Sequence, residues 1–106
     1  VKPAAFLPNP KDHKKSVFRH AAKPLDGLRR LASNQIPGTV TVHGAAVVKV
    51  AIVRSARLDV IAEEPPPLHA NIVGWPVITR DPELQKAQER ERAVIIASRS
   101  ILVRFA

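Results

Sequence analysis

The chain has 106 residues, 45% of them apolar and 25% charged, which are the proportions of a globular domain and exclude wholesale disorder. It contains no cysteine, which excludes disulfides, thiolate nucleophiles and Cys-based zinc sites and fits a reducing cytoplasm. The net charge is +8, and it is placed unevenly: residues 1–53 hold nine basic side chains against two acidic ones, residues 54–106 eight against seven. The N-terminal half therefore carries nearly all of the field that attracts anions.

No stretch approaches the ~20 apolar residues of a membrane span, and the start, Val1-Lys2-Pro3-Ala4-Ala5-Phe6, lacks the basic and long apolar regions of a secretory leader. The length predicts a single domain over 1–106 with one core. Aromatic residues are limited to Phe6, Phe18, Phe105 and Trp75, so that core is expected to be mostly Val, Ile, Leu and Ala.

Residues 1–15 read as an extended basic arm, with Pro3, Pro8 and Pro10 blocking helix ahead of the cluster Lys11-Asp12-His13-Lys14-Lys15. Ser16 to His20 alternates as a short strand. Pro24 suits the first turn of a helix over Leu25 to about Ser33, where Leu25, Leu28, Leu31 and Ala32 recur at helical spacing, and Ile36-Pro37-Gly38 ends it. Thr39 to His43 is again a strand pattern, stopped by Gly44.

The run Ala45–Val53 is apolar on both faces and admits two readings: one buried strand, or a strand of ~5 residues followed by a helical turn into Arg54-Ser55-Ala56-Arg57. Leu58 to Ala62 predicts another strand. Pro65-Pro66-Pro67 then makes a stiff connector without a hydrogen-bond ladder, and His69–Val73 a short strand ended by Gly74-Trp75-Pro76.

The last helix has the best signals. Asp81 is a good N-cap, Pro82 fits the first helical position and Glu83 complements the positive helix end, so a helix is predicted from Pro82 to about Ser98. Leu84, Ala87, Val94 and Ser98 mark its expected apolar face, interrupted by Glu91. Ile101 to Phe105 either extends it or returns as a strand. The elements add up to an α+β fold: about four or five strands in one small, mostly antiparallel sheet, one short helix and one long C-terminal helix packed on the sheet.

Candidate functional residues follow from chemistry and position. His69, at the entrance to a short strand, can serve as acid or base, or be a structural histidine bonded to the backbone of the proline turn. Ser16 is the second catalytic candidate. Arg19 shares its strand face with Val17, and a guanidinium there needs either an anionic ligand or a salt bridge to Asp59, Glu63 or Glu64; Arg54 invites the same comparison.

Lys11, Lys14, Lys15, Arg19, Lys23, Arg29, Arg30 and Arg54 form the candidate anion-binding set, with Phe6 and Phe18 as stacking rings and Trp75 as either a pocket wall or a core plug. No His pair at i, i+4 supports a metal site, and no glycine-rich cradle or Gly-x-Ser-x-Gly elbow is present, so no cofactor is expected.

The order Lys2-Pro3-x-x-Phe6-x-Pro8, Ser16-Val17-x-Arg19, Leu58-x-Val60 and Pro67-x-His69-Ala70-x-Ile72-x-Gly74-Trp75-Pro76 resembles a family of short uncharacterised bacterial proteins. These are met in mobile-gene surroundings such as integron cassettes. The resemblance spans most of the chain and implies no activity.

Three functional expectations result. The first is a non-enzymatic module that binds an anionic partner, foremost nucleic acid, through the arm and first helix. The second is a small enzyme or ligand-binding protein for an anionic metabolite, with Ser16, Arg19, Arg54 and His69 converging beside Trp75. The third is a homodimer formed through the apolar stretch Val94–Phe105.

Overall fold

A computed structural model of the chain describes residues 1–19, 44–65 and 67–104, with Gly27 and Arg30 as isolated helical positions. The strand expected at 39–43 and, those two positions apart, the helix expected at 25–33 lie outside the described residues, as do His20, Lys23, Arg29 and His43. In chain order the elements are a 3-10 helix Pro3–Phe6, β1 Lys15–Phe18, β2 Gly44–Val47, α1 Val50–Ser55, β3 Asp59–Ala62, β4 His69–Val73, α2 Pro82–Ser98 and β5 Ile101–Arg104. The architecture is α+β.

The strands form two antiparallel sheets where one was expected: a three-stranded sheet in the order β1-β4-β3 and a two-stranded pair, β2-β5. The run 45–53 resolves into its second reading, a strand and then a helix, and β2 takes its partner from the far end of the chain. Gly44 permits that pairing, because a Cβ there would lie 2.5 Å from the Val103 carbonyl oxygen.

In the larger sheet, Val17 faces Ala70 across β1 and β4, and Val60 faces Ile72 across β3 and β4. Side chains alternate between the faces of a strand. One face therefore carries Val17, Val60, Ala70 and Ile72, and the other carries Ser16, Phe18, Ile61, His69 and Asn71. The first face meets the core.

The core joins Ile72 to Val53 and Ala56 of the α1 region, to Leu58, to Phe6 and to Ala93, Ile96 and Ala97 of α2. Ile72, Ile96 and Val53 are the largest fully enclosed side chains, each worth about 1.5–3 kcal/mol in burial. Trp75 is 5% exposed and its Nε1–H donates to the Ile72 carbonyl at 3.0 Å, so the ring is a core plug with its one polar atom satisfied. Gly74 adopts φ +91, a left-handed turn that aims the ring inward.

Helix α2 begins as its sequence dictates: the Asp81 carboxylate accepts from the Leu84 N–H at 3.0 Å, ahead of Pro82 and Glu83. Its buried face differs from the expected one. Leu84, Ala87, Val94 and Ser98 are exposed, and Ala93, Ile96 and Ala97 are buried. Small residues let the helix approach its neighbours closely, and the half-buried Gln85 and Glu89 continue the same stripe toward the N-terminus.

The extended arm is also corrected. Residues 3–6 form a helical turn packed against α2, and Phe6 is 5% exposed. The following turn is pinned by His13 N–H to the Asn9 carbonyl (2.8 Å), Asn9 N–H to the Lys14 carbonyl (2.9 Å) and Lys14 N–H to the Asp12 carboxylate (3.1 Å). Proline spacing excludes α-helix but leaves the 3-10 turn open, since Pro3 occupies its first position.

Candidate functional site

The outward face of the three-stranded sheet brings together the two segments that carry the most chemistry in the sequence. Phe18 lies directly opposite His69, and Ser16 opposite Asn71. Their rings meet edge-on, with centroids 5.5 Å apart and planes inclined at 61°.

Ser16 and His69, 53 residues apart in sequence, are diagonal neighbours across β1 and β4, and Ser16 Oγ lies 2.6 Å from His69 Nε2. The other ring nitrogen, Nδ1, lies 2.7 Å from the Glu63 carbonyl oxygen. That oxygen only accepts, so Nδ1 carries a hydrogen and, in the neutral ring, Nε2 is the acceptor. The Ser16 hydroxyl then donates to Nε2. His69 is thus bonded to the backbone of the proline turn, as its structural alternative expected, and its other ring nitrogen accepts from a serine hydroxyl.

The loop ahead of His69 is held tightly. Leu68 has φ 68, a conformation that L residues seldom adopt. Its N–H donates to Glu64 Oε1 at 2.9 Å, and its carbonyl accepts from the Arg19 backbone N–H at 2.8 Å and from Arg19 Nε at 3.4 Å. Arg19 Nη2 closes the ring of contacts on Glu64 Oε1 at 3.2 Å. Thus Arg19 takes the salt-bridge alternative, with Glu64 as its partner, and serves to position the turn that presents His69.

Glu63 contributes its side chain as well: it accepts from the nearly buried Asn71 amide and lies 3.7 Å from Lys14 Nζ. A half-open cavity of about 360 Å³ adjoins β1, lined among the described residues chiefly by Ser16, Val17, Phe18, Arg19, Val48 and Val60. Of the four side chains expected to converge, Ser16 and Arg19 belong to lining residues and His69 does not. The cavity lies on the core face with Val17, Val60 and Ile72, whereas the Ser16 side chain meets His69 on the outward face.

Arg54 and Trp75 do not join them. Arg54 pairs with Asp59 at 3.3 Å and Trp75 is enclosed in the core, so neither lines the cavity and Trp75 is no stacking ring. Phe6 is likewise buried, leaving Phe18, half-exposed, as the one stacking candidate of the two phenylalanines. Of the anion-binding set, Lys14, Arg19 and Arg54 are paired with carboxylates, Lys11 and Arg30 are exposed, and Lys15 is half-buried at the cavity wall.

Sequence reasoning named Glu63 and Glu64 as alternative partners of Arg19, and Glu64 is that partner; it missed Asn71, whose signal was a polar residue in the middle of an apolar strand. Among the described residues no group of three or more His, Asp or Glu side chains converges to hold a metal ion, and no helix is long and apolar enough to cross a membrane. No protein-family model, curated protein or solved structure gives a match to this chain.

Proposed function

We propose that the protein binds an anionic partner, single-stranded nucleic acid foremost, along β1 on the outward face of the three-stranded sheet. The observation that carries this reading is the arrangement of that strand. Lys14 and Arg19 stand at its two ends, roughly 17 Å apart at the rise of an extended chain. Between them Phe18 and His69 present neighbouring, half-exposed rings. Cations that track a backbone beside rings that stack bases are the two ingredients of single-strand binding.

The carboxylate partners of Lys14 and Arg19 do not oppose it strongly. Both pairs are solvent-exposed, and such pairs are worth about 0–1 kcal/mol, so a phosphate can take the place of either acid at small cost. The excess of seven positive charges over negative ones in residues 1–53 supplies the long-range attraction.

The test is binding of a generic oligonucleotide across a salt series. On single strands log K falls with log salt by about 0.7 per phosphate neutralised. Engagement of Lys11, Lys14 and Arg19 thus predicts a slope of roughly −2, or about a 16-fold loss between 50 and 200 mM salt. Replacing Lys11 and Lys14 together by Ala is expected to make the slope shallower by about 1–2, and Phe18→Ala to weaken binding by about 1–3 kcal/mol with the slope unchanged. Absence of binding at low salt, or a slope flatter than about −1, contradicts the proposal.

A further inference from the structure

We infer that Ser16 is a nucleophile activated by His69, forming a site for acyl transfer from carboxylic esters. The inference concerns a different chemistry from nucleic-acid binding and is read by a different measurement, and the His69 and Phe18 rings serve in both. Its basis is the hydrogen-bond chain from Ser16 Oγ through the His69 ring to the Glu63 carbonyl, at 2.6 and 2.7 Å.

A serine hydroxyl is a poor nucleophile until a base accepts its proton as the new bond forms. The base must lie within about 2.6–3.2 Å and offer a free lone pair. His69 meets both conditions, because the Glu63 carbonyl fixes the hydrogen on Nδ1 and turns the Nε2 lone pair toward Ser16. A third group that orients the base completes such an arrangement. Here the orienting group is a backbone carbonyl rather than a carboxylate. It fixes the ring's tautomer but stabilises the imidazolium less than a negative charge would.

The geometry is built into rigid parts. Ser16 sits within β1 and His69 opens β4, so their separation is set by strand register rather than by a flexible loop. Phe18 packs its ring against that of His69, and Glu64 with Arg19 locks Leu68, the residue before it. Precise holding of the base by neighbouring packing and hydrogen bonds is what distinguishes a working dyad from a chance contact.

Access is also present: Ser16 is exposed, and its side chain stands on the outward face beside the half-exposed rings of Phe18 and His69. The Arg19 N–H bonds to Leu68, so alternation along the antiparallel ladder directs the N–H groups of Ser16 and Phe18 to the opposite edge of β1. Among the described residues the Ser16 N–H has no strand partner at that edge, and in this inference it donates to the developing oxyanion, the role that backbone amides play in acyl transfer.

The steps balance. Ser16 Oγ attacks the ester carbonyl carbon and its proton passes to His69 Nε2. The tetrahedral adduct collapses with cleavage of the bond to the alkoxy group, which takes the Nε2 proton and leaves as an alcohol. Water then attacks the acyl-serine, gives a proton to Nε2, and that proton returns to Ser16 Oγ as the carboxylic acid departs.

The experiment is covalent labelling of the folded protein with an alkyl fluorophosphonate, the adduct located by peptide mass mapping. In this reaction a bond forms from Ser16 Oγ to phosphorus and fluoride leaves with the hydroxyl proton. The expected result is an adduct at Ser16, formed at least about 100-fold faster than at Ser55 or Ser98, the exposed serines that serve as internal standards. His69→Asn keeps a donor for the Glu63 carbonyl and removes the base, and is expected to slow labelling of Ser16 by about 10²–10⁴-fold.

Circular dichroism and the melting temperature of the variant report whether it remains folded; if His69→Asn unfolds, imidazole added to His69→Gly is expected to restore labelling at Ser16. An adduct at Ser16 no faster than at Ser55 and Ser98 overturns the inference. So does unchanged labelling in the folded His69 variant.

Discussion

Asp59 shows how a single exposed residue can register in the stability of the whole. Its carboxylate accepts from the Val60 N–H at 2.8 Å and from Arg54 Nε at 3.3 Å. The backbone hydrogen bond first, and the guanidinium second, hold its pKa below the ordinary value of 3.8. A depressed pKa contributes stability that is present above the unfolded value and lost as pH falls through the folded one. Asp59→Asn is therefore expected to lower the melting temperature slightly at neutral pH, with the gap closing as the pH falls below the ordinary carboxyl value and through the lowered one. A thermal-melt series from acid to neutral pH tests this, and a gap independent of pH contradicts it.

At the same scale, Ser16 and His69 were each legible as chemistry in the sequence and were expected to converge with Arg19 and Arg54, but the geometry of their contact was not legible. A hydroxyl before a β pattern and an imidazole after three prolines are local facts. The 2.6 Å bond between them depends on β1 and β4 being neighbours and on their register, and a slip of one residue would put the two side chains on opposite faces.

Among the elements, α2 was the most readable because its boundary signals are local. The Asp81 cap, Pro82 and Glu83 fix its start without reference to anything else in the fold. Asp81→Ala is expected to cost about 1 kcal/mol, measured by denaturant unfolding with an unchanged m-value. A change under a few tenths of a kcal/mol would show that the Leu84 N–H finds another acceptor.

The face that α2 buries was misread for a physical reason. Large aliphatic residues suggest a core stripe, but the helix is wide and polar at its N-terminal end, and close approach by Ala93 and Ala97 decides its rotation. The same lesson applies to β5. Its pattern fits a strand or a longer helix, and pairing with β2 resolves the ambiguity.

At the scale of the molecule, the N-terminal segment is part of the structural core. Phe6 joins Val53, Leu58, Trp75 and Ile96 in one cluster, and the 3-10 turn that carries it lies on α2. Phe6→Ala is expected to cost about 3–5 kcal/mol in a denaturant melt, the usual loss for an enclosed phenylalanine. A value near that of a surface substitution, within about 0.5 kcal/mol, would return residues 1–7 to the status of a free arm. The docking of this turn also bears on binding: Lys11 and Lys14 are carried on a turn fastened at both ends, so a phosphate backbone meets them with less ordering cost than on a loose tail.

The sequence by itself determined what local physics controls: the α+β class, the bounds of His69–Val73 and Pro82–Ser98, and the basic balance of residues 1–53. Alternation, capping and proline geometry act within a few residues and need no partner. Only the tertiary structure decided that the strands divide into two sheets, that Phe6 leaves the surface, that Arg19 belongs to Glu64, and that Ser16 faces His69. Each of these is a contact between segments distant in sequence, chosen by strand pairing and close packing, and no periodicity along the chain encodes such a choice.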